Sequence, residues 1–555
     1  MRIIARKILA ESACSFITGL VVICPLLLAV VCALPNFFGG WGLVWDGHPY
    51  EFYFLPDIKG HLLGGVALAC VWGACFVLFC RSQVRTDARH LPLKLFLITL
   101  VSRGIIALTV GQFASPISDF AFAWDRACTG CFNPEYGSHL LFPAWMSFSM
   151  FERCWVLVFG SNMGLLLLAG VVFNAVTAVM MFHFAMHMFG RKDVALAASS
   201  LYAFYPSSII YTITASPEHM CVACFMTMAV LLARCLSKET TVGRRMVLIV
   251  CAGAIAGMGN SVKPIFGVYA IAIAICLCVA LFRSETLSVI RISLLALAFA
   301  AFVVAEIFMS GLVVRSTEAM FNVSLRSVDP TPHFLCVGLN RQGEGQIHVG
   351  GLSRLWNRLV SEGVAPRDAT RQAYDVVARD WKGHMEDMLP FLMKKFVWTW
   401  QDDNRPYGMA MLQLGKGLGA KILDDNDQEA MAKKLVKREL GDDGSVHAAE
   451  DKSPSAKALI IDSVWQTVQT AGFVVYFMTM LSAVVGVLWY RRRLAVNTYW
   501  LWTCLFVLGF WCLMVLSEAA SRYKSVVMPY VFLLMAPFVA KLIKFQSDSA
   551  REMNS

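Results

Sequence analysis

Charge is what this sequence has least of. Only 15% of its 555 residues are Asp, Glu, Lys or Arg, while 57% are hydrophobic and the mean hydropathy is +0.60. Soluble domains carry about 25% charged residues. The deficit excludes an ordinary soluble protein and points to a bilayer as solvent. Paired metal ligands are also lacking. Cys128-Thr-Gly-Cys131 is a lone CxxC with no second ligand pair at zinc spacing. It suits a local disulfide in an oxidising compartment better, with two free thiols as the other reading. Most of the remaining cysteines lie inside apolar runs, where a thiol behaves as a small hydrophobe. No removable signal peptide is expected, because the first apolar stretch, 14–36, is too long for one. No internal repeat or inverted symmetry stands out. The net charge of +10 does not imply nucleic acid, since the basic residues punctuate apolar segments.

What is present is a series of apolar stretches of spanning length, at 14–36, 61–80, 91–112, 163–189, 194–213, 218–236, 246–262, 264–282, 290–311, 466–490, 497–516 and 525–542. They predict an all-α polytopic membrane protein of about twelve transmembrane helices, because a helix satisfies its own backbone in hydrocarbon. Lys263-Pro264 splits the 246–282 region into two. With a cytoplasmic N-terminus, twelve spans place the basic groups of 81–94, 191–192, 234–245, 283–291, 491–493 and 541–544 inside, and far fewer outside. This is the positive-inside pattern, with both termini cytoplasmic. The domain reading is a two-span addition (1–90), a core module (91–311) with a first outer loop at 113–162, an extracytoplasmic segment (312–465) and a three-span module (466–555). Residues 140–159 read as a helix lying in the interface. Residues 421–440 read as an exposed helix of mixed charge, and 441–456 as a mobile stretch.

On this topology the unusual polar residues collect at the outer face: Asp119, Glu218, Lys263, Glu518 and Arg522, with Arg103 and Glu306 toward the outer ends of their spans. An ionisable residue in hydrocarbon costs a few kcal/mol, so it usually faces a cavity or a partner. Asp119, just past a span and flanked by aromatics, suits a base at headgroup depth; capping an interfacial helix explains it about equally well. Glu218 follows Pro217 at a helix start, where an acid favours the dipole; its functional alternative is a second carboxylate or a metal ligand. His219 reads as structural. Lys263 at a helix break and Arg522, four residues after Glu518, suit a lipid phosphate. Lys524 reads instead as a cation snorkelling to headgroups.

Several pieces together resemble the GT-C superfamily of polyprenyl-phosphate-dependent glycosyltransferases, in particular bacterial proteins similar to protein O-mannosyltransferases and aminoarabinose transferases. They are Pro116-Ile-Ser-Asp119-Phe120; Phe204-Tyr-Pro206 through Pro217-Glu218; Asn260 to Lys263-Pro264; Phe334 to Gly338-Leu339-Asn340, with Gly343 or Gly345 after it; Lys395-Phe396 to Trp400-Gln-Asp402; and Glu518 to Arg522-Tyr523 with Pro529. They span about 91–545. The resemblance implies a GT-C-like fold with an outer loop domain in a bacterial plasma membrane. It also implies an inverting transfer, outside the cell, from a polyprenyl-phosphate sugar to a glycan, lipid or protein acceptor. Asp119 is then the base, Glu218 a second carboxylate, and Lys263, Arg522, Glu518, Arg103 and Asn340 donor-binding. A divalent metal, if used, would fall to Asp119 and Glu218. Many relatives carry two adjacent acids where this chain has Ser118-Asp119, which sets it apart from an Asp-Glu metal site. No cytoplasmic nucleotide-sugar domain is visible, in keeping with a lipid donor. The alternatives are a transporter or flippase, which predicts repeats and broken helices at mid-membrane, and a lipid-linked polysaccharide polymerase or ligase.

Overall fold

A computed structural model describes residues 22–38, 58–116, 118–131, 142–236, 240–283, 289–325, 331–341, 362–400, 456–494, 497–517 and 523–552, with a few single positions besides. The described residues are helical, with no strand among them. In chain order the helices are α1 (Ile23–Phe38), α2 (Ile58–Val84), α3 (Leu91–Thr109), α4 (Ser118–Thr129), α5 (Pro143–Phe159), α6 (Met163–Phe189), α7 (Lys192–Phe204), α8 (Pro206–Ile210) and α9 (Pro217–Cys235). There follow α10 (Val242–Val262), α11 (Phe266–Arg283), α12 (Val289–Phe321), α13 (Thr331–Gly338), α14 (Pro366–Lys382), α15 (Met388–Trp400), α16 (Ala456–Leu494), α17 (Thr498–Leu516) and α18 (Lys524–Glu552).

Among the described residues, nine helices are long and apolar enough to cross a membrane, and a tenth crossing arises if α7 and the segment 206–213 are taken as one span bent by 50°. Among the described residues the expected count of twelve is not confirmed. Pro206 cannot continue α7, so the stretch at 194–213 breaks there. Residues 266–282 form a further, shorter apolar helix. The chain is an integral membrane protein by the length and apolarity of these helices. Large apolar side chains point outward along them, Leu63 at 88% exposure and Val304 at 64%, as lipid contact requires. The readings for 421–440 and 441–456 fall outside the described residues, apart from position 456 at the start of α16.

The centre of the bundle is built by α9, α17 and α18. About 78% of the most apolar stretch is buried in α9 and α18, against 11% in α2. Four helices meet in one aromatic column: Phe225 of α9 stacks on Tyr269 of α11 at 4.2 Å, Tyr269 on Phe506 of α17 at 4.0 Å, and Phe506 lies 4.3 Å from Tyr530 of α18. Each such pair adds roughly 0.5–1.5 kcal/mol beyond its area. The two N-terminal helices pack on α16, where His61 Nδ1 lies 3.1 Å from Thr467 Oγ1.

Helices α10 and α12 touch backbone to backbone. Gly253 and Gly257, four residues apart, leave no room for a side chain: a Cβ on Gly257 would stand 2.5 Å from Glu306 O and 3.0 Å from Met309 Cβ. Small residues at this spacing allow close approach of membrane helices, which lack a hydrophobic drive to associate. Gly257→Val is therefore expected to force the pair apart and cost about 1–3 kcal/mol, read as a lower melting temperature of the detergent-purified protein. An unchanged melt would show that α12 yields freely.

Candidate functional site

The helix ends at one face of the bundle carry the site. Ser216 caps α9, accepting from Glu218 N at 3.3 Å, with Pro217 in the first turn. That cap fixes Glu218 at the positive end of the helix, and the carboxylate is 2% exposed. Its Oε2 accepts from the Ser216 hydroxyl and from Tyr211 OH at 3.4 Å. Its Oε1 accepts from Lys263 Nζ at 2.7 Å. Lys263 follows the last residue of α10, where a cation suits the negative helix end and Pro264 stops the helix. Asn260 holds the break: its Oδ1 accepts from Phe266 N at 3.1 Å and its Nδ2 donates to Glu306 Oε1 at 2.8 Å. The Lys263 ammonium lies 3.8 Å from the centre of the Tyr523 ring, just before α18. Thus the start of α9, the break between α10 and α11, and the start of α18 converge on one cation.

Behind this pair runs a buried polar chain. His219 accepts at Nδ1 from Asn174 Nδ2 at 3.2 Å and donates from Nε2 to Thr214 O at 3.3 Å, which sets its tautomer. Tyr202 OH donates to Asn174 Oδ1 at 2.5 Å. Arg103, fully buried, donates to Tyr202 O at 2.8 Å and to Ser208 O and Oγ at 3.1 and 2.9 Å. Those contacts brace the bend between α7 and α8. Arg103 therefore reaches the neighbourhood of Glu218 from behind, through Tyr202, Asn174 and His219.

Asp119 opens α4, in its first turn and partly exposed. The approach to α4 is tied to α9 by Gln413, which is buried: Gln413 O accepts from Ser115 N at 3.0 Å and its Nε2 donates to Thr214 Oγ1 at 3.3 Å. Asn340 is buried just beyond α13. Its loop is docked on the end of α17 by Lys395, whose Nζ donates to Gly338 O at 2.5 Å and Ser517 O at 2.6 Å. Only glycine fits at 338, since a Cβ there would run into the backbone of Leu516 and Ser517. Arg341 then bonds Asp380 and Asp387, each at 3.2 Å, on the far side of the loop. Glu518 and Arg522 lie outside the described residues. No group of three potential metal ligands is gathered among the described residues.

Two sequence expectations need correction. Lys524 does not snorkel: it is fully buried, 4.8 Å from the Tyr476 ring centre and 6.0 Å from that of Trp400. It begins α18 inside a ring of aromatics, a setting that only the packing of distant segments creates. Cys128 and Cys131 are both free thiols. The end of α4 is closed by Arg153 instead, which donates to Ala127 O at 2.9 Å and Cys128 O at 2.8 Å. Gln413, Lys395, Tyr211 and Tyr523 had not been singled out as site residues. Lys395 and Tyr523 stood among the resemblance motifs, whereas Gln413 carries no local signal.

Helix α5, 17 residues long, holds a second buried acid. Glu152 is 2% exposed, and neither carboxyl oxygen has a hydrogen-bond partner among the described residues. Burial pushes its carboxyl well above the usual carboxylate range, with Arg126 of α4 pulling the other way. A carboxyl raised in the folded state contributes stability that is full below about pH 4.5, its unfolded value, and is lost as pH rises through the folded value. Glu152→Gln is therefore expected to leave the melting temperature unchanged at pH 5 and to raise it at pH 8. A parallel fall of both proteins between those pH values would contradict a neutral buried Glu152.

No family model matches the chain, and no curated protein matches it. Several solved structures align with it at low identity. A crystal structure of ArnT from Cupriavidus metallidurans bound to undecaprenyl phosphate aligns at 10% identity and a TM-score of 0.37, over 80% of this chain and 76% of that one. The apo state of the same protein aligns at 12% identity and a TM-score of 0.35. The archaeal oligosaccharyltransferase AglB from Archaeoglobus fulgidus, in complex with an inhibitory peptide and a dolichol-phosphate, aligns at 13% identity and a TM-score of 0.40, over 83% of this chain and 52% of that one.

Proposed function

We propose that this protein is a membrane glycosyltransferase that takes its sugar from a polyprenyl phosphate and passes it, with inversion, to a hydroxyl-bearing acceptor outside the cell. The observation that carries the reading is the fixed cation Lys263. It stands at a helix break, held by Glu218 and faced by Tyr523, where the ends of spans meet. A cation so placed needs no reorganisation to stabilise charge that develops on a leaving phosphate. The helices around it supply apolar walls for a prenyl tail.

In the proposed reaction the acceptor oxygen attacks the anomeric carbon opposite the phosphate. The carbon–oxygen bond to phosphate breaks, and its electron pair leaves on the phosphate, whose charge Lys263 meets. Arg522 is the proposed second phosphate ligand. The acceptor proton passes to Asp119, which is partly exposed at the start of α4. Glu218, engaged by Lys263, Ser216 and Tyr211, acts as the carboxylate that keeps Lys263 in place. Asn340 of the outer segment and Glu518, which follows α17 in sequence, are proposed to border the donor, and Arg103 to support the site from behind.

The test is turnover by purified protein in detergent with a set of synthetic polyprenyl-phosphate sugars and a matching set of nucleotide sugars. Transfer or hydrolysis from a lipid-phosphate donor, with none from nucleotide sugars, supports the reading. Lack of binding and turnover with every lipid-phosphate sugar, by a protein that melts cooperatively, removes it.

A further inference from the structure

The end of the bundle far from Lys263 has a cavity that the proposed reaction does not use. Its volume is about 140 Å³, and it opens between α9, α10, α11, α12 and α17. The lining includes Leu236 past the end of α9, Ile249 of α10, Cys276 of α11, Ala298 of α12, and Thr498 and Trp502 of α17. Nearly every lining group is apolar. Helix direction fixes the depth. Glu218 and Lys263 lie at the start of α9 and the end of α10, whereas Leu236 and Thr498 lie at the opposite helix ends. The cavity thus begins at the level of one membrane interface and runs toward mid-membrane.

Its mouth is basic. Arg245 lies one helical turn before Ile249 and so shares the face of α10 that lines the cavity. The Cys235 thiol, another lining group, donates to Arg245 O at 3.8 Å, which brings the first turn of α10 onto the rim. Arg234 and Arg244 are exposed at the same end. Tyr499, also in the lining, donates to Ala233 O at 3.3 Å and ties α17 to α9 there. A narrow apolar slot with arginine at its interfacial mouth complements one kind of molecule: a chain of hydrocarbon ending in a phosphate. An acyl chain in this slot would contact all five helices and so hold them together.

We propose that this cavity is a binding site for an anionic phospholipid of the leaflet opposite the Lys263 site, with one acyl chain between α9, α12 and α17 and the headgroup phosphate on Arg245. The site is separate from any donor site and does not depend on the glycosyltransferase reading.

The experiment is native mass spectrometry of the full-length protein, purified and delipidated in detergent, titrated with phosphatidylglycerol or phosphatidylcholine of the same chains. The expected result is one phosphatidylglycerol bound about fivefold more tightly than phosphatidylcholine, a preference that Arg245→Gln abolishes. Ala298→Trp, which fills the slot, should remove that single bound lipid. Ala298→Leu should weaken it, and covers the case in which the tryptophan disturbs folding. Equal affinity for both lipids, or unchanged stoichiometry in both Ala298 variants, overturns the proposal. So does one-for-one displacement of phosphatidylglycerol by undecaprenyl phosphate, which would make the slot part of a donor groove.

Discussion

Asp119→Asn is expected to lower the rate of sugar transfer roughly 10²- to 10⁴-fold, the usual contribution of a positioned general base, with little change in melting temperature. The substitution keeps the shape of the side chain and removes its ability to hold a proton. Asp119 lies in the first turn of α4. Losing it costs stability only a few tenths to about 1 kcal/mol at a partly exposed position. Gln413 ties the approach to α4 to the approach to α9, bonding Ser115 on one side and Thr214 on the other. The rate is the discriminating measurement. If Asp119 merely caps α4, turnover stays within a few-fold of wild type while the melt shifts slightly.

The second large effect concerns the Glu218–Lys263 pair, 2% and 17% exposed. Lys263→Met leaves a buried carboxylate without its cation, and removal of one partner from such a pair costs about 3–5 kcal/mol. The double variant Glu218→Gln with Lys263→Met carries no buried charge there. It is expected to recover most of that stability, because replacing both members of a buried pair is often neutral. Stability and activity then part company. If Lys263 meets the donor phosphate, the double variant melts near wild type yet transfers no sugar. A stable double variant with wild-type turnover would leave the pair as a brace for the break between α10 and α11. Tyr523, whose ring centre is 3.8 Å from the ammonium, would then lose its place in the donor site as well.

The helices and their ends were legible because their causes are local. Hydrocarbon demands runs of apolar residues, and Lys263-Pro264 and Ser216-Pro217 mark a stop and a start by backbone chemistry alone. The same logic placed Glu218 and Lys263 at helix ends on one face before any contact was known. What it did not foresee was the break at Pro206, which bends one expected span by 50°. The fate of Lys524 was illegible for a different reason. Its neighbours Trp400 and Tyr476 lie 124 and 48 residues away in sequence, and a basic residue at a helix start reads as snorkelling until those rings are seen around it. Gln413 belongs to the same class: a polar residue in a polar segment, whose two bonds join parts of the chain about 200 and 300 residues distant.

The sequence by itself determined that this chain lives in a bilayer and which helix ends carry acids and bases, since hydropathy, proline and helix dipoles act over one or two turns. The tertiary structure alone decided which of those ends meet: that Lys263 takes Glu218 and Tyr523, that Arg103 turns inward to brace the α7–α8 bend, and that Lys524 is enclosed. Pairing across hundreds of residues depends on how Gly253 and Gly257 let α10 and α12 touch and on how four helices share one aromatic column. Those are properties of packed surfaces, which no local stretch of chain encodes.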